Sequence, residues 1–131
     1  MSSQDLNLQL RDASYDGDLE LVKFLVSKGA DVHAWNDYAL RQACKIGHLD
    51  IVKYLVSKGA DVDVHDDYAL RWASYHGHLD IVKYLIENSD YNQGSKNTTL
   101  TWAKDCGHTS IVNYLESVIL KEKRLECLQN L

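Results

Sequence analysis

The sequence contains no proline, a single methionine and a single phenylalanine among 131 residues. It has no run of strand length in which apolar and polar residues alternate, so a β-sheet is not expected. No apolar stretch approaches the roughly 20 residues that span a bilayer, and no membrane association is expected. The opening Met1-Ser2-Ser3-Gln4-Asp5 lacks the apolar segment of a secretion signal. The three cysteines, Cys44, Cys106 and Cys127, are odd in number and follow no metal-ligand spacing. They read as reduced, small hydrophobic side chains in a reducing compartment rather than as a disulfide or zinc framework. The formal net charge of −5 argues against a general phosphate-binding surface, and no nucleic-acid partner is expected. No nucleophile–base pair, glycine-rich phosphate loop or ligand cluster stands out. The chain is therefore expected to have no catalytic residues, no cofactor and no metal.

What is present is a period of 30 residues. Gly17, Gly47, Gly77 and Gly107 share one phase, and Leu10, Leu40, Leu70 and Leu100 another. Ala13, Ala43, Ala73 and Ala103 form a third ladder, and Leu25, Leu55, Leu85 and Leu115 a fourth. Self-similarity on this scale marks a repeat architecture, in which the residues that differ between copies carry function. In the second copy a helix is expected from about Tyr38 to Ile46, with Leu40, Ala43 and Cys44 at i, i+3 and i+4. Asn7, Asp37, Asp67 and Asn97 share one phase and are expected to be N-caps, since their side-chain oxygens accept from free backbone N–H groups. A second helix is expected from about Leu49 to Lys58, buried through Leu49, Val52, Leu55 and Val56, and closed by Gly59. One such pair cannot bury its own apolar face, so the copies must stack.

The copies divide at about 5–36, 37–66, 67–96 and 97–131, within a single domain spanning 1–131, with the first and last acting as end caps. The third copy carries a slip: Asn88 falls one residue before the phase of Gly59, and is the expected left-handed helix stop. The fourth copy lacks a glycine stop, so its second helix either runs from Ser110 towards Gln129 or breaks near Lys121, forming a C-terminal cap.

Gly47-His48-Leu49-Asp50-Ile51-Val52-Lys53-Tyr54-Leu55-Val56-Ser57-Lys58-Gly59-Ala60-Asp61-Val62 resembles the second half of an ankyrin repeat. The resemblance covers about residues 5 to 120. It departs from the usual 33-residue unit with its Thr-Pro-Leu-His opening. Here the openings are Tyr38-Ala39-Leu40-Arg41 and Tyr68-Ala69-Leu70-Arg71, and the three missing residues fall in the connector between Val62 and Tyr68. The opening and period are similar to ankyrin proteins of giant DNA viruses of amoebae, and some protist proteins share them. The resemblance implies an all-α solenoid of about four helix-turn-helix units with shortened connector fingers. It also implies a non-catalytic protein-binding scaffold that works through its concave face, as a monomer inside a cell. For a viral protein the compartment would be the host cytoplasm, with nucleus and virion as alternatives, and the partner a host protein.

The positions that break the ladders define the candidate binding face. They are Trp35, Tyr38, Gln42, Lys45, His65, Tyr68, Trp72, Tyr75, His76 and Trp102. Tyr and Trp supply large contact areas at low entropic cost and dominate interface hot spots. Trp72 and Trp102 are equally compatible with packing between repeats, whereas Trp35, Tyr75 and His76 are expected to be exposed. His48, His78 and His108 read as structural hydrogen-bonding residues, since stacked helices lie about 8–10 Å apart and one ion cannot bridge successive copies. Arg11, Arg41 and Arg71 read as a structural ladder that pairs with Asp31, Asp61 or loop carbonyls, with a grip on acidic partners or phosphate as the alternative. Phe24, Tyr54, Tyr84 and Tyr114 read as packing residues. Two alternatives remain. Asn92 occupies a connector position that is hydroxylated in some ankyrin proteins. The tail from Glu116 to Leu131 holds the place of the F-box-like, ubiquitin-ligase-recruiting segment of poxvirus ankyrin proteins, although it lacks the proline of those segments and reads as a cap. Self-association is a further alternative.

Overall fold

A computed structural model describes residues 2–131, apart from the side chains of 64–66. Eight helices follow one another: α1 (Ser3–Asp16), α2 (Leu19–Ser27), α3 (Ala34–Ile46), α4 (Leu49–Ser57), α5 (Val64–Tyr75), α6 (Leu79–Asn88), α7 (Gln93–Asp105) and α8 (Thr109–Gln129). Among the described residues there is no strand. Helices pair as α1–α2, α3–α4, α5–α6 and α7–α8, and the pairs stack in order. The first helices form one layer and the second helices the other.

The sequence ladders become the core. Leu10, Leu40 and Leu70 are buried between first helices, and Leu25, Leu55, Leu85 and Leu115 between second helices. Each such side chain contributes about 1.5–3 kcal/mol on leaving water. Ile51, Ile81 and Ile111 share one phase and are buried, whereas Leu21, their equivalent in the first pair, is 38% exposed.

The histidine ladder staples one unit to the next. His48 Nε2 donates to the Tyr15 carbonyl (2.9 Å), His78 Nε2 to Lys45 (2.8 Å) and His108 Nε2 to Tyr75 (2.8 Å). Each ring thereby lies over the glycine that ends the preceding first helix. A Cβ on Gly17, Gly47 or Gly77 would stand 2.6–2.9 Å from the Cε1 of that ring, and all three glycines have positive φ. Tyr54, Tyr84 and Tyr114 pack half-buried against the core on the second-helix side, where Lys23, Lys53 and Lys83 lie over them at 6.0, 5.6 and 5.6 Å, whereas Phe24 departs from the expected packing role and is exposed.

Four local expectations are corrected. Asn7 and Asn97 lie inside α1 and α7, whose caps are Ser2 and Asn92. Asp37 is not a side-chain N-cap either: Trp35, Asn36 and Asp37 form a left-handed turn (φ 52, 57 and 57°), and right-handed helix resumes at Tyr38. The carboxylate of Asp37 instead accepts from the Asp61 N–H (3.0 Å) and from His33 Nδ1 (2.9 Å). Asn7 does the same one unit earlier, accepting from the Asp31 N–H (2.7 Å). In the first two copies these side chains therefore tie the first helix to the connector that closes its unit, because the connector amide is the donor left without a backbone partner. Asp67 likewise is not a cap: it lies inside α5, whose N-cap position is Asp63, with φ 63°, and its carboxylate accepts from the Ser95 hydroxyl.

Asn88 also departs from expectation. It stays helical, its amide donates back to the Tyr84 carbonyl (2.8 Å), and the chain leaves through an extended Ser89. Tyr91 absorbs the slip, buried with its hydroxyl donating to the Val62 carbonyl (3.1 Å). Helix α8 is unbroken and packs on α7 through Ile111, Leu115 and Ile119 and a Lys96–Glu122 ion pair. From Lys123 onward every residue is exposed, so only the first part of this helix covers the stack.

Candidate functional site

The ladder-breaking residues converge on the face of α3, α5 and α7. Period 3.6 places Tyr38, Arg41 and Lys45 on one side of α3, and Tyr68, Trp72 and Tyr75 on the matching side of α5. The Arg41 guanidinium lies 5.0 Å from the ring centre of Tyr38 and 5.9 Å from that of Tyr68. Tyr68 meets Trp72 edge to face at 5.5 Å, and Lys45 Nζ sits 5.1 Å over Trp72. Trp72 meets His76 at 6.4 Å, His76 meets Tyr75 at 5.0 Å, and Tyr75 meets Trp102 at 5.8 Å. Arg71 closes the series, 5.8 Å from Trp102. Rings and cations thus form a continuous strip across three units. Edge-to-face pairs and cation–ring contacts each contribute about 0.5–1.5 kcal/mol at exposed to partly buried sites.

Trp35 (45% exposed), Tyr75 (49%) and His76 are on the surface as expected, and Tyr38, Lys45, Tyr68, Trp72 and Trp102 are half-buried. Gln42 departs from the expectation of an exposed contact. Closed in beside Tyr38 and Lys45, it is only 6% exposed and floors a cleft of about 250 Å³ walled by Arg11, Asp12, Tyr15, Tyr38 and Lys45. The side chain of His65 lies outside the described residues. A second cleft, of about 220 Å³, opens between Tyr75, Trp102, Asp105 and Cys106. A larger hollow of about 440 Å³ between residues 86–91 and the Lys96–Glu122 pair is polar, and its one lysine is already paired.

Arg41 and Arg71 were legible as a structural ladder, with a grip on acidic partners or phosphate as the alternative. The structural part is real for Arg41, whose Nε donates to the Asn36 carbonyl (3.1 Å) and Nη2 to that of Trp35 (2.9 Å). These bonds hold the left-handed turn that presents Trp35. The i, i+3 spacing of Tyr38 and Arg41 was the signal available in the sequence. Among the described residues Arg41, Lys45 and Arg71 have no carboxylate within salt-bridge distance, whereas Arg11 is paired with Asp12 at 3.1 Å. Burial, with Lys45 and the neighbouring histidines His78 and His108, holds the His76 pKa below its ordinary value. The imidazole is therefore neutral at neutral pH. Asn92 is exposed, and its side-chain oxygen accepts from the Ser95 N–H (2.7 Å) as the cap of α7.

A stack of helix pairs with one continuous aromatic face belongs to the class of repeat scaffolds. Residues 10–95 and 67–123 match the family model of ankyrin repeats (3 copies). The chain belongs to the ankyrin repeat family. Ankyrin repeats are generally protein–protein interaction modules, and the proteins that carry them are typically non-catalytic scaffolds. No curated protein matches the chain. Among the described residues no group of three or more His, Cys, Asp or Glu side chains is placed to hold a metal, and no helix is long and apolar enough to cross a membrane.

Proposed function

We propose that residues 1–131 act as one non-catalytic module that binds a protein partner through the strip of Trp35, Tyr38, Lys45, Tyr68, Trp72, Tyr75, His76 and Trp102. The observation that carries this reading is the unbroken series of ring and cation contacts across α3, α5 and α7. Hot spots of this composition account for most of the binding energy in protein interfaces. The stack holds these side chains in place before binding, which lowers the entropic cost of association. The chain acts as a monomer in a reducing compartment. The 30-residue period and Tyr-Ala-Leu-Arg openings resemble giant-virus ankyrin proteins, which makes a protein of an amoebal host the partner to seek. The alternative use of Asn92 as a hydroxylation substrate draws less support, since its side-chain oxygen already caps α7.

The test is a quantitative pull-down from host-cell lysate with wild type beside a Trp35→Ala, Tyr75→Ala, His76→Ala variant. Circular dichroism first establishes that the variant is folded. A protein retained by wild type and lost by the variant supports the reading. Identical retention by both sinks it and turns attention to the tail and the second-helix side.

A further inference from the structure

The charge on this face is opposite to that of the molecule. The chain carries a formal net charge of −5, yet the strip displays Arg41, Lys45 and Arg71, none with a carboxylate partner among the described residues. Each cation lies over an aromatic ring, which fixes its position and leaves N–H groups free to donate outward. Among the described residues, the carboxylates near the strip are accounted for. Asp12 is taken by Arg11, and Asp37 is buried against His33 and the Asp61 amide. Asp105 stands at the far end, on the rim of the Tyr75–Trp102 cleft.

The spacing of the cations selects a shape of ligand. Arg41 and Arg71 are equivalent residues of successive units, separated by about the 8–10 Å of packed helices. A chain in the extended polyproline II conformation advances about 3.1 Å per residue and brings every third side chain to the same face. Acidic side chains three residues apart therefore meet successive cations. Past Arg71 the surface becomes apolar at the 220 Å³ cleft, and there the Asp105 carboxylate disfavours a further acid.

We propose that the strip takes an extended acidic segment of a protein partner, with carboxylates about three residues apart and an apolar side chain seated between Tyr75 and Trp102. This rests on the binding face proposed above and names the chemistry it recognises. Single-stranded nucleic acid also combines negative charge with flat groups, but the rings here already carry a cation or a neighbouring ring edge, which leaves few open platforms for base stacking.

The test is selection of random displayed peptides on the 131-residue chain, followed by titration of the recovered peptides against variants. Peptides enriched in Asp or Glu at i and i+3 with an apolar residue to one side are expected. Replacing the charges in Lys45→Gln, Arg71→Gln should weaken them about three- to thirtyfold, as loss of two exposed ion pairs implies. Among the described residues these two side chains make no hydrogen bond or ion pair, and circular dichroism verifies that the variant is intact.

Recovered peptides without acidic enrichment, or with affinity unchanged in that variant, overturn the proposal. Displacement of the peptides by an oligothymidylate of similar length also overturns it, in favour of nucleic acid. If such non-acidic peptides are nonetheless lost from the Trp35→Ala, Tyr75→Ala, His76→Ala variant, the binding face stands and only its acidic preference falls. If no strip-dependent peptide is recovered, both fall.

Discussion

Substituting alanine for Gly47 tests the device that joins the units. Two costs add. Gly47 has φ +105°, a conformation that costs an L-residue about 1–2 kcal/mol. The new Cβ would also stand 2.7 Å from Cε1 and 2.8 Å from Nδ1 of His78. That ring cannot step aside without giving up its 2.8 Å bond to the Lys45 carbonyl, a net loss of about 0.5–1.5 kcal/mol. The expected destabilisation is therefore about 1.5–3.5 kcal/mol, a large part of the roughly 5–15 kcal/mol that holds a domain folded. Gly29 is the control, with φ also +105° and nothing within 4 Å of an added Cβ. Gly29→Ala should cost only the backbone strain of about 1–2 kcal/mol. The assay is urea unfolding followed by circular dichroism, compared at constant m. In a His78→Ala background the cost of Gly47→Ala should fall to that of Gly29→Ala, because the clash has been removed. Equal costs for the two glycines in wild type, or an unchanged Gly47→Ala cost in the His78→Ala background, would refute the staple.

Three further predictions follow from other parts of the structure. Asp37→Ala leaves the Asp61 amide without its acceptor and should destabilise by about 1–3 kcal/mol. Asp37→Asn should cost clearly less in the same urea titration, since Asn7 performs this task in the first unit. The His76 ring should titrate below 6.5 by NMR, and since the unfolded state then binds its proton first, its contribution to stability diminishes as pH falls through and below the ordinary histidine range. Because the ring is exposed the effect is small, and a midpoint at or above 6.5 contradicts the stated environment. Deleting residues 123–131 should shift the thermal midpoint little, as all are exposed, whereas deletion from Ile119 removes a buried contact with α7 and should lower it by several degrees.

The parts of this molecule that repeat were the parts its sequence revealed. Leu40, Leu55 and Ala43 recur in phase, and recurrence at that period has one physical use, burial between identical neighbours. The histidines were legible as hydrogen-bonding residues for the same reason, although their acceptor carbonyls lie 33 residues upstream. The left-handed turn at Trp35, Asn36 and Asp37 was not legible, because no residue there favours positive φ as glycine does. The turn exists because Arg41 and the Asp61 amide hold it from elsewhere in the chain. Asn88 failed as a left-handed stop for a related reason: its amide found the Tyr84 carbonyl within its own helix. Of the face, the exposed Trp35, Tyr75 and His76 were identifiable as ladder breaks, whereas the cations Arg41 and Arg71, being a ladder themselves, read first as structural and only second as a grip on acidic partners. Gln42 shared the phase of Trp72 yet sits at the floor of a cleft, a consequence of its neighbours' size that spacing does not encode.

The most direct test of the central claim is site-specific photo-crosslinking in cell extract. A benzophenone side chain replaces Tyr75 on the strip in one protein and Phe24, equally exposed on the opposite layer, in another. Adducts to a partner from position 75 and none from position 24 are the expected result. Adducts from position 24 alone, or from neither position, would contradict the assignment of this face as the binding surface.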